Sequence, residues 1–448
     1  MSRVLFLAYY FPPTGGAGTQ RSATFARELV VNGHEPVVIT GPGPSDSVWS
    51  PADDTLSGSA AQDVEIHRVA GPIPASTGRA AALARRLDQP SPFERWWVDG
   101  ATHVGLSVAG RDGIDAVYAS MSPYESGRVA AAVAARLGVP WIADLRDPWA
   151  LDEMREYPTA LHRLRDLSRM RTVLGSAAAI VMNTPEAKRR LLDRFPELGG
   201  TTVVHIPNGW DAGDFATAPQ RPATAGFRIV HTGSLHTRAA RQGRRRALAR
   251  RMLGGRAPID LLTRSHLFLV EAVQRVAARD PELARSLEIH LAGNLTEADR
   301  RSSGPNAVLH GYLPHRDSVE LLRSADLLFL PMQNLPRGRR ATIVPGKTYE
   351  YLASGRPVLA AVPEGDARDL VSATAAAWAC VPDDVDGMAA ILRRELLRKR
   401  EHGRRPDVRR AEIDRFERRR LGRELAELVD RVTSAPSRRA RPDLRLVS

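Results

Sequence analysis

The residues best placed to do chemistry lie in the run Ile343-Val344-Pro345-Gly346-Lys347-Thr348-Tyr349-Glu350-Tyr351-Leu352-Ala353. Pro345-Gly346 opens a short helix, where a proline loses nothing by lacking an N–H. A helix start offers unpaired N–H groups and the positive end of a dipole, which suits a phosphate. Lys347 adds a compact point charge there. Glu350, leaning back toward the helix start, can accept hydrogen bonds from ribose hydroxyls. Phosphate donors beside a diol acceptor describe a nucleoside-diphosphate site. The plainer reading is an amphipathic helix carrying an ordinary surface lysine and glutamate. The chain's only lysines are Lys188, Lys347 and Lys399, so a lysine in this glycine-flanked turn hints that an arginine fork would not fit.

A second group of polar residues follows the strand Pro140-Trp141-Ile142-Ala143: Asp144, Arg146, Asp147 and Trp149. In open α/β sheets the carboxyl ends of strands line the ligand crevice. Two carboxylates, a guanidinium and an indole there suit a sugar or other polyol acceptor. So do Ser120 and Ser122 after the preceding strand. The plainer alternative is an Asp–Arg pair bracing the loop.

The elements that position these groups alternate strand and helix. Val4 to Tyr10 is a continuous apolar run, as for a strand buried on both faces. It leads into Pro12-Pro13-Thr14-Gly15-Gly16-Ala17-Gly18, an amphipathic helix and the strand Val37-Val38-Ile39-Thr40. A dinucleotide fingerprint fails here: Arg21 stands at the third glycine position, and no acid ends the second strand. A nicotinamide cofactor is therefore not expected. Residues 42–62 are turn-rich and uninformative. The stretch 79–87 is basic and amphipathic, with Phe93, Trp96 and Trp97 soon after. That combination suits an anionic membrane surface, or else a surface helix whose aromatics pack inward. A proline- and alanine-rich stretch at 216–226 reads as a linker. A second strand–helix series starts at Phe227. An arginine-dense segment follows, with Arg238, Arg241, Arg244, Arg245, Arg246, Arg250, Arg251 and Arg256; only Arg238 or Arg241 is expected to reach a site. Asp383-Asp384-Val385-Asp386 starts a helix and reads as an N-terminal cap. A helix is expected over 412–432, followed by a disordered tail at 433–448.

With 448 residues the chain is too long for one core. The lone Cys380 sits in an apolar run, as for a core thiol in a reducing compartment. Prolines at 12 and 13 argue against a signal peptide, and no apolar run spans a membrane. A cytoplasmic protein is expected, at most peripheral on the inner face of the membrane. Net charge is +13, compatible with nucleic acid, lipid or anionic substrates. The arginine-dense segment contains no aromatic residue, so nucleic acid is not expected as a partner.

These features resemble glycosyltransferase family 4, of the GT-B fold. The carriers are Phe11-Pro12-Pro13-x-Gly15-Gly16, Ile206-Pro207-Asn208-Gly209-x-Asp211-x-x-x-Phe215, Thr232-Gly233-Ser234-Leu235, His310-Gly311-Tyr312-Leu313-Pro314 and Pro345-Gly346-Lys347-x-x-Glu350. The resemblance implies two doubly wound α/β domains facing each other across a cleft. Residues 1–215 would form the acceptor-side domain, 216–226 the linker and 227–405 the donor domain. Residues 406–432 would return to the first domain. It implies a retaining, metal-independent transfer from a nucleotide-diphosphate sugar to a hydroxyl of a polysaccharide, glycolipid or small molecule. Lys347, Arg238 and Glu350 would be catalytic. Gly15, Gly16, Gly233, Ser234, Gly293, Tyr312, Leu313 and Gly346 would join Lys347 and Glu350 in holding the donor. The sequence departs from the family at Thr342, where the first of two glutamates eight positions apart would stand. Ser120, Met121 and Ser122 replace a histidine, and a lysine expected a few residues after the arginine is missing. A nucleotide-sugar epimerase on the same architecture is the competing enzyme class, though no His–carboxylate pair stands at a strand end to serve it.

Overall fold

The computed structural model describes residues 1–44, 51–56, 64–74, 78–216, 226–241, 259–408 and 411–435. The arginines from 244 to 256, most of the 216–226 linker and the tail beyond 435 lie outside the described residues. The chain divides into two compact units, one of Met1–Arg155, Leu161–Pro207 and Arg419–Ser448, the other of Glu156–Ala160 and Asn208–Arg418.

The first unit holds β1 (Arg3–Leu7), α1 (Ala17–Val31), β2 (Glu35–Thr40), β3 (Glu65–Arg68), α2 (Arg79–Leu87), α3 (Pro92–Asp112) and β4 (Ala116–Ser120). Then follow α4 (Ser126–Leu137), β5 (Trp141–Leu145), α5 (Ala160–Gly175), β6 (Ala179–Met182), α6 (Pro185–Arg194) and β7 (Thr202–His205). The sheet is parallel in the order β3-β2-β1-β4-β5-β6-β7. Alternate residues of β1 feed two cores. Leu5 and Leu7 pack with Trp97 and Val133, while Val4 and Phe6 pack with Phe25 and Tyr118. That is why β1 reads as an unbroken apolar run rather than an alternating one.

The second unit holds β8 (Phe227–Thr232), α7 (Leu267–Arg279), α8 (Pro281–Ala284), β9 (Leu287–Ala292), α9 (Glu297–Arg301), β10 (Ala307–Gly311), α10 (His315–Ser324) and β11 (Leu327–Pro331). It continues with α11 (Gly346–Ala353), β12 (Val358–Ala361), α12 (Asp366–Ser372), β13 (Ala377–Cys380) and α13 (Val385–His402). Its sheet is also parallel, in the order β10-β9-β8-β11-β12-β13. Asp384 caps α13 by accepting from the Gly387 amide at 2.8 Å. Cys380 is buried at the end of β13, and burial pushes its thiol up to about 12.

The expected helix over 412–432 is two elements. A 3-10 turn covers Ala411–Phe416, and α14 runs from Arg418 to Ser434. The break has a backbone cause. Trp210 donates its amide to the Phe416 carbonyl at 3.0 Å and accepts from the Arg418 amide at 2.9 Å, which takes both groups out of any helical ladder. From Arg419 the helix belongs to the first unit, where Leu421, Leu425, Leu428 and Val429 join the core around Val4, Phe6 and Tyr118.

Candidate functional site

In the second unit strand order reverses at β8, which lies between β9 and β11. Ligands of open α/β sheets bind at the carboxyl ends of strands beside such a switch. The turn after β8 and the helix that follows β11 meet there, at Gly233 and Lys347. Gly233 has φ +109°, and a Cβ on it would lie 2.5 Å from Lys347 Nζ. Gly293, after β9, has φ +141°, and its Cβ would meet the Gly233 carbonyl at 2.4 Å. The two glycines thus stack so that the lysine lies directly on backbone. Any larger side chain would displace it.

Tyr351, fully buried, fixes α11 against β8 by accepting a hydrogen bond from the Thr232 amide at 2.8 Å. No side chain caps the Pro345 end of α11. Its first amides, those of Gly346 and Lys347, are the orphan donors of the first turn. Lys347 Nζ lies 3.4 Å from His231 Nε2. His231 Nδ1 faces the Phe329 carbonyl at 3.0 Å, and a carbonyl can only accept. The ring therefore carries its proton on Nδ1, and Nε2 receives the hydrogen bond from Lys347. Burial, then the nearby Lys347 charge, hold His231 neutral well below the usual histidine range. Burial and the Arg264 guanidinium push His236 down to about 3. Lys347 itself is brought down to about 7, by burial first and then by Arg264, with Glu350 opposing. The result is a cluster of cationic and would-be cationic groups opposed by the carboxylates of Glu350 and Asp299, an environment that an anion would relieve.

Glu350 is partly buried on the same helix, and Arg418 Nη2 lies 3.8 Å from its Oε1. His315, at the start of α10, hydrogen-bonds Asp214 Oδ2 at 2.8 Å. Although burial opposes it, that bond and the Glu350 charge raise its pKa. Tyr312 is exposed and Leu313 partly so, both just past the end of β10. Ser234 and Arg238 are exposed, and Arg241 donates to Ser302 Oγ at 3.0 Å. Thr342 is buried, at 1% exposure. The positive group nearest in charge effect to Lys347 is Arg264, which sequence reasoning missed. It follows the arginine-dense segment, so its distance along the chain from β8 hid it. Its carbonyl accepts from the His236 amide at 3.0 Å, and its Nη1 donates to Gln333 Oε1 at 3.2 Å.

In the first unit the switch falls between β1 and β4. Gly15 is buried, and its amide donates to the Pro51 carbonyl at 2.7 Å. Thr14 bridges Ala52 as well, so residues 51–56, uninformative in sequence, pin the glycine-rich loop. Gly16 is exposed at the start of α1 with φ +108°. Gly18 carries the Arg146 guanidinium, since a Cβ there would be 1.3 Å from Arg146 Nη1.

Two of the expected acceptor groups are instead structural. Asp144 is fully buried, and its carboxylate takes both Nε and Nη2 of Arg21, at 2.9 and 2.8 Å, besides the Tyr118 hydroxyl. Arg21 also donates to the carbonyls of Ile206 and Pro207. The bracing pair is thus Asp144 with Arg21, not with its neighbour Arg146. Trp149, at 5% exposure, donates its Nε1 hydrogen to Asp166 at 3.1 Å and stacks on Tyr124 at 5.1 Å. Ser120 is also buried, beside Ser22. Ser122 and Arg146 stay partly open, and Asp147 is exposed. Glu125, three residues after Ser122, went unnoticed in the sequence. Burial, then the Glu94 charge, push its carboxyl up to about 7.

Two parallel doubly wound sheets in one chain define the GT-B class, and solved structures agree. An Anabaena Alr3699/HepE structure in complex with UDP-glucose matches with a TM-score of 0.59 at 16% identity, covering 96% of this chain and 100% of that one. A sucrose-phosphate synthase from Thermosynechococcus elongatus matches with a TM-score of 0.59 at 13% identity, over 97% and 96% of the two chains. UDP-GlcNAc 2-epimerase from Methanocaldococcus jannaschii shares the fold with a TM-score of 0.51 at 9% identity, over 96% and 100%. No curated protein sequence matches the chain at a significant level. Residues 15–209 match the family model of the glycosyl transferase 4-like domain, and residues 259–397 match that of the glycosyl transferases group 1. The chain belongs to the glycosyltransferases of the family 4 type.

Proposed function

We propose that the protein transfers a sugar, with retention at the anomeric carbon, from a nucleoside-diphosphate donor to a hydroxyl acceptor, without a divalent metal. The observation that carries this is Lys347 resting on the Gly233 turn, beside uncapped helix amides and within the field of Arg264. In the reaction the bond from the anomeric carbon to the diphosphate oxygen breaks, leaving charge on that oxygen. The amides of Gly346 and Lys347, the Lys347 ammonium and Arg264 stabilise that charge, taking the part a divalent cation plays elsewhere. The acceptor oxygen bonds to the same face of the anomeric carbon, and its proton passes to a phosphate oxygen of the leaving group. Glu350 holds the ribose hydroxyls, and the backbone of Tyr312 and Leu313 meets the base. Gly293 keeps the floor of the site flat, and Ser234 and Arg238 reach the donor from the turn after β8. In the first unit Gly16, Ser122, Glu125, Arg146 and Asp147 are the groups open to substrate, and the last four bind the acceptor. The Anabaena structure, solved with UDP-glucose, supports a nucleotide sugar as donor.

The test is a thermal-shift panel of nucleotide sugars, since a ligand that binds the native state raises its melting point. Transfer from the stabilising donor is then followed by NMR of the anomeric signal. An α-linked product from an α-linked donor is expected. An inverted product would contradict retention, and an epimerised nucleotide sugar formed without acceptor would contradict transfer.

A further inference from the structure

Of the aromatics that the sequence offers to a membrane, Phe93 and Trp96 are half-buried against the core. Trp97 is fully buried, and Phe93 and Trp97 stand edge-on to Tyr9 at 5.5 and 4.9 Å. The exposed apolar surface lies beside them. Leu83 and Leu87 on α2 are 57% and 58% exposed, and Leu161 and Leu164 on α5 are 53% and 56% exposed. Spacings of four and three residues put each pair on one helix face. The two helices are joined at this point: Arg169 donates to the Asp88 carboxylate and carbonyl at 2.9 Å each, and His162 Nε2 lies 3.4 Å from the Arg86 carbonyl.

Around these leucines basic side chains prevail, with Glu197 the exposed acid of the adjoining groove. Arg79, Arg86, Arg163 and Arg171 are exposed. Asp88, the acid nearest the junction, is already bound by Arg165 and Arg169. A groove of about 270 Å³ runs on from Leu164, lined by Leu167, Arg171, Arg194, Phe195 and Glu197. Scattered exposed leucines are ordinary on soluble proteins, but a pair of helices offering four beside unpaired arginines is the composition of an interfacial surface. Apolar side chains enter the acyl boundary while guanidinium groups meet lipid phosphates.

We propose that the joined α2–α5 face docks on an anionic lipid bilayer, with Leu83, Leu87, Leu161 and Leu164 inserted and Arg163 and Arg171 on the phosphates. The proposal is independent of which sugar is transferred. The full-length protein is sedimented with vesicles of phosphatidylcholine alone and of phosphatidylcholine mixed with phosphatidylglycerol. It is expected to pellet with the mixed vesicles, less so as salt rises. Replacing all four leucines by serine, with the melting curve unchanged, is expected to weaken pelleting at least about tenfold. Arg163→Glu with Arg171→Glu weakens binding to the mixed vesicles only. Val31→Ser, at an exposed site on α1, serves as the control and leaves binding intact. Unchanged pelleting of the four-leucine variant would overturn the proposal. So would pelleting that disappears only on deletion of 436–448, or a dimer in light scattering that the leucine variant dissociates, which would make a second copy the occupant.

Discussion

Lys347 is poised to change charge when an anion arrives. With its pKa brought down to about 7 by burial and by Arg264, the empty site holds this amine only partly protonated at neutral pH. A bound diphosphate restores the charge and raises that pKa. Binding at pH above 7 therefore takes up a proton, and affinity falls as pH rises from 7, by up to about tenfold per unit until the pKa of the complex is reached. Titration calorimetry in buffers of differing ionisation enthalpy should show this uptake; a heat independent of buffer at pH 8 would contradict it. The same shift bears on stability with the opposite sign to a salt-bridged lysine. The lowered folded pKa makes protonation cost stability, beginning as pH falls below the unfolded value of about 10.4 and complete below 7. Arg21 is the other residue on which much rests. Buried with Asp144 and tied to Ile206 and Pro207, it leaves an unpaired buried carboxylate when removed. Arg21→Met should cost about 3–5 kcal/mol in urea unfolding; a loss under about 1 kcal/mol would show the pair to be dispensable.

At the scale of elements, the site depends on a turn and a helix start approaching within contact distance. Gly233→Ala adds a methyl where Lys347 Nζ lies, at a φ of +109° that alanine rarely adopts. It should weaken donor binding at least about tenfold while costing about 1–2 kcal/mol of stability; donor affinity equal to wild type would show that the lysine is not seated there for binding. The helix α11 and its glycine-rich neighbours were legible because each leaves a local mark: Pro-Gly at a helix start, glycine after a strand. Arg264 left none, since what makes it a neighbour of Lys347 is tertiary structure and not a local pattern. Asp144 and Trp149 were misplaced for a related reason. A strand end tells where a side chain begins, but only the packing of α1 and α5 reveals that Arg21 and Asp166 bind them first. The apolar face of the last helix was visible in the spacing of Leu421, Leu425 and Leu428. Its start was not, because the break at Glu417 comes from Trp210. Leu425→Ala, in the core beside Phe6 and Tyr118, should destabilise the first unit by about 2–5 kcal/mol, read from the unfolding transition of that unit.

At the scale of the whole molecule, two units repeat one plan: a parallel sheet with a reversal beside a glycine-bearing turn. The plan was legible from alternating apolar runs and helical stretches, and family resemblance assigned it. The same plan carries epimerases as well as transferases, so the chemistry must come from the side chains at the reversal. There the second unit gathers positive charge. If that charge serves in place of a divalent cation, transfer should continue at an undiminished rate in excess EDTA; loss of activity restored by magnesium would contradict a metal-independent site. The most direct measurement is calorimetric titration of wild type and Lys347→Ala with the nucleoside diphosphate released by the accepted donor. A seat for the diphosphate at Lys347 predicts a loss of about a hundredfold or more in affinity, in a variant that still unfolds in one cooperative transition before ligand is added. Equal affinity in the two proteins would place the diphosphate elsewhere and contradict the account.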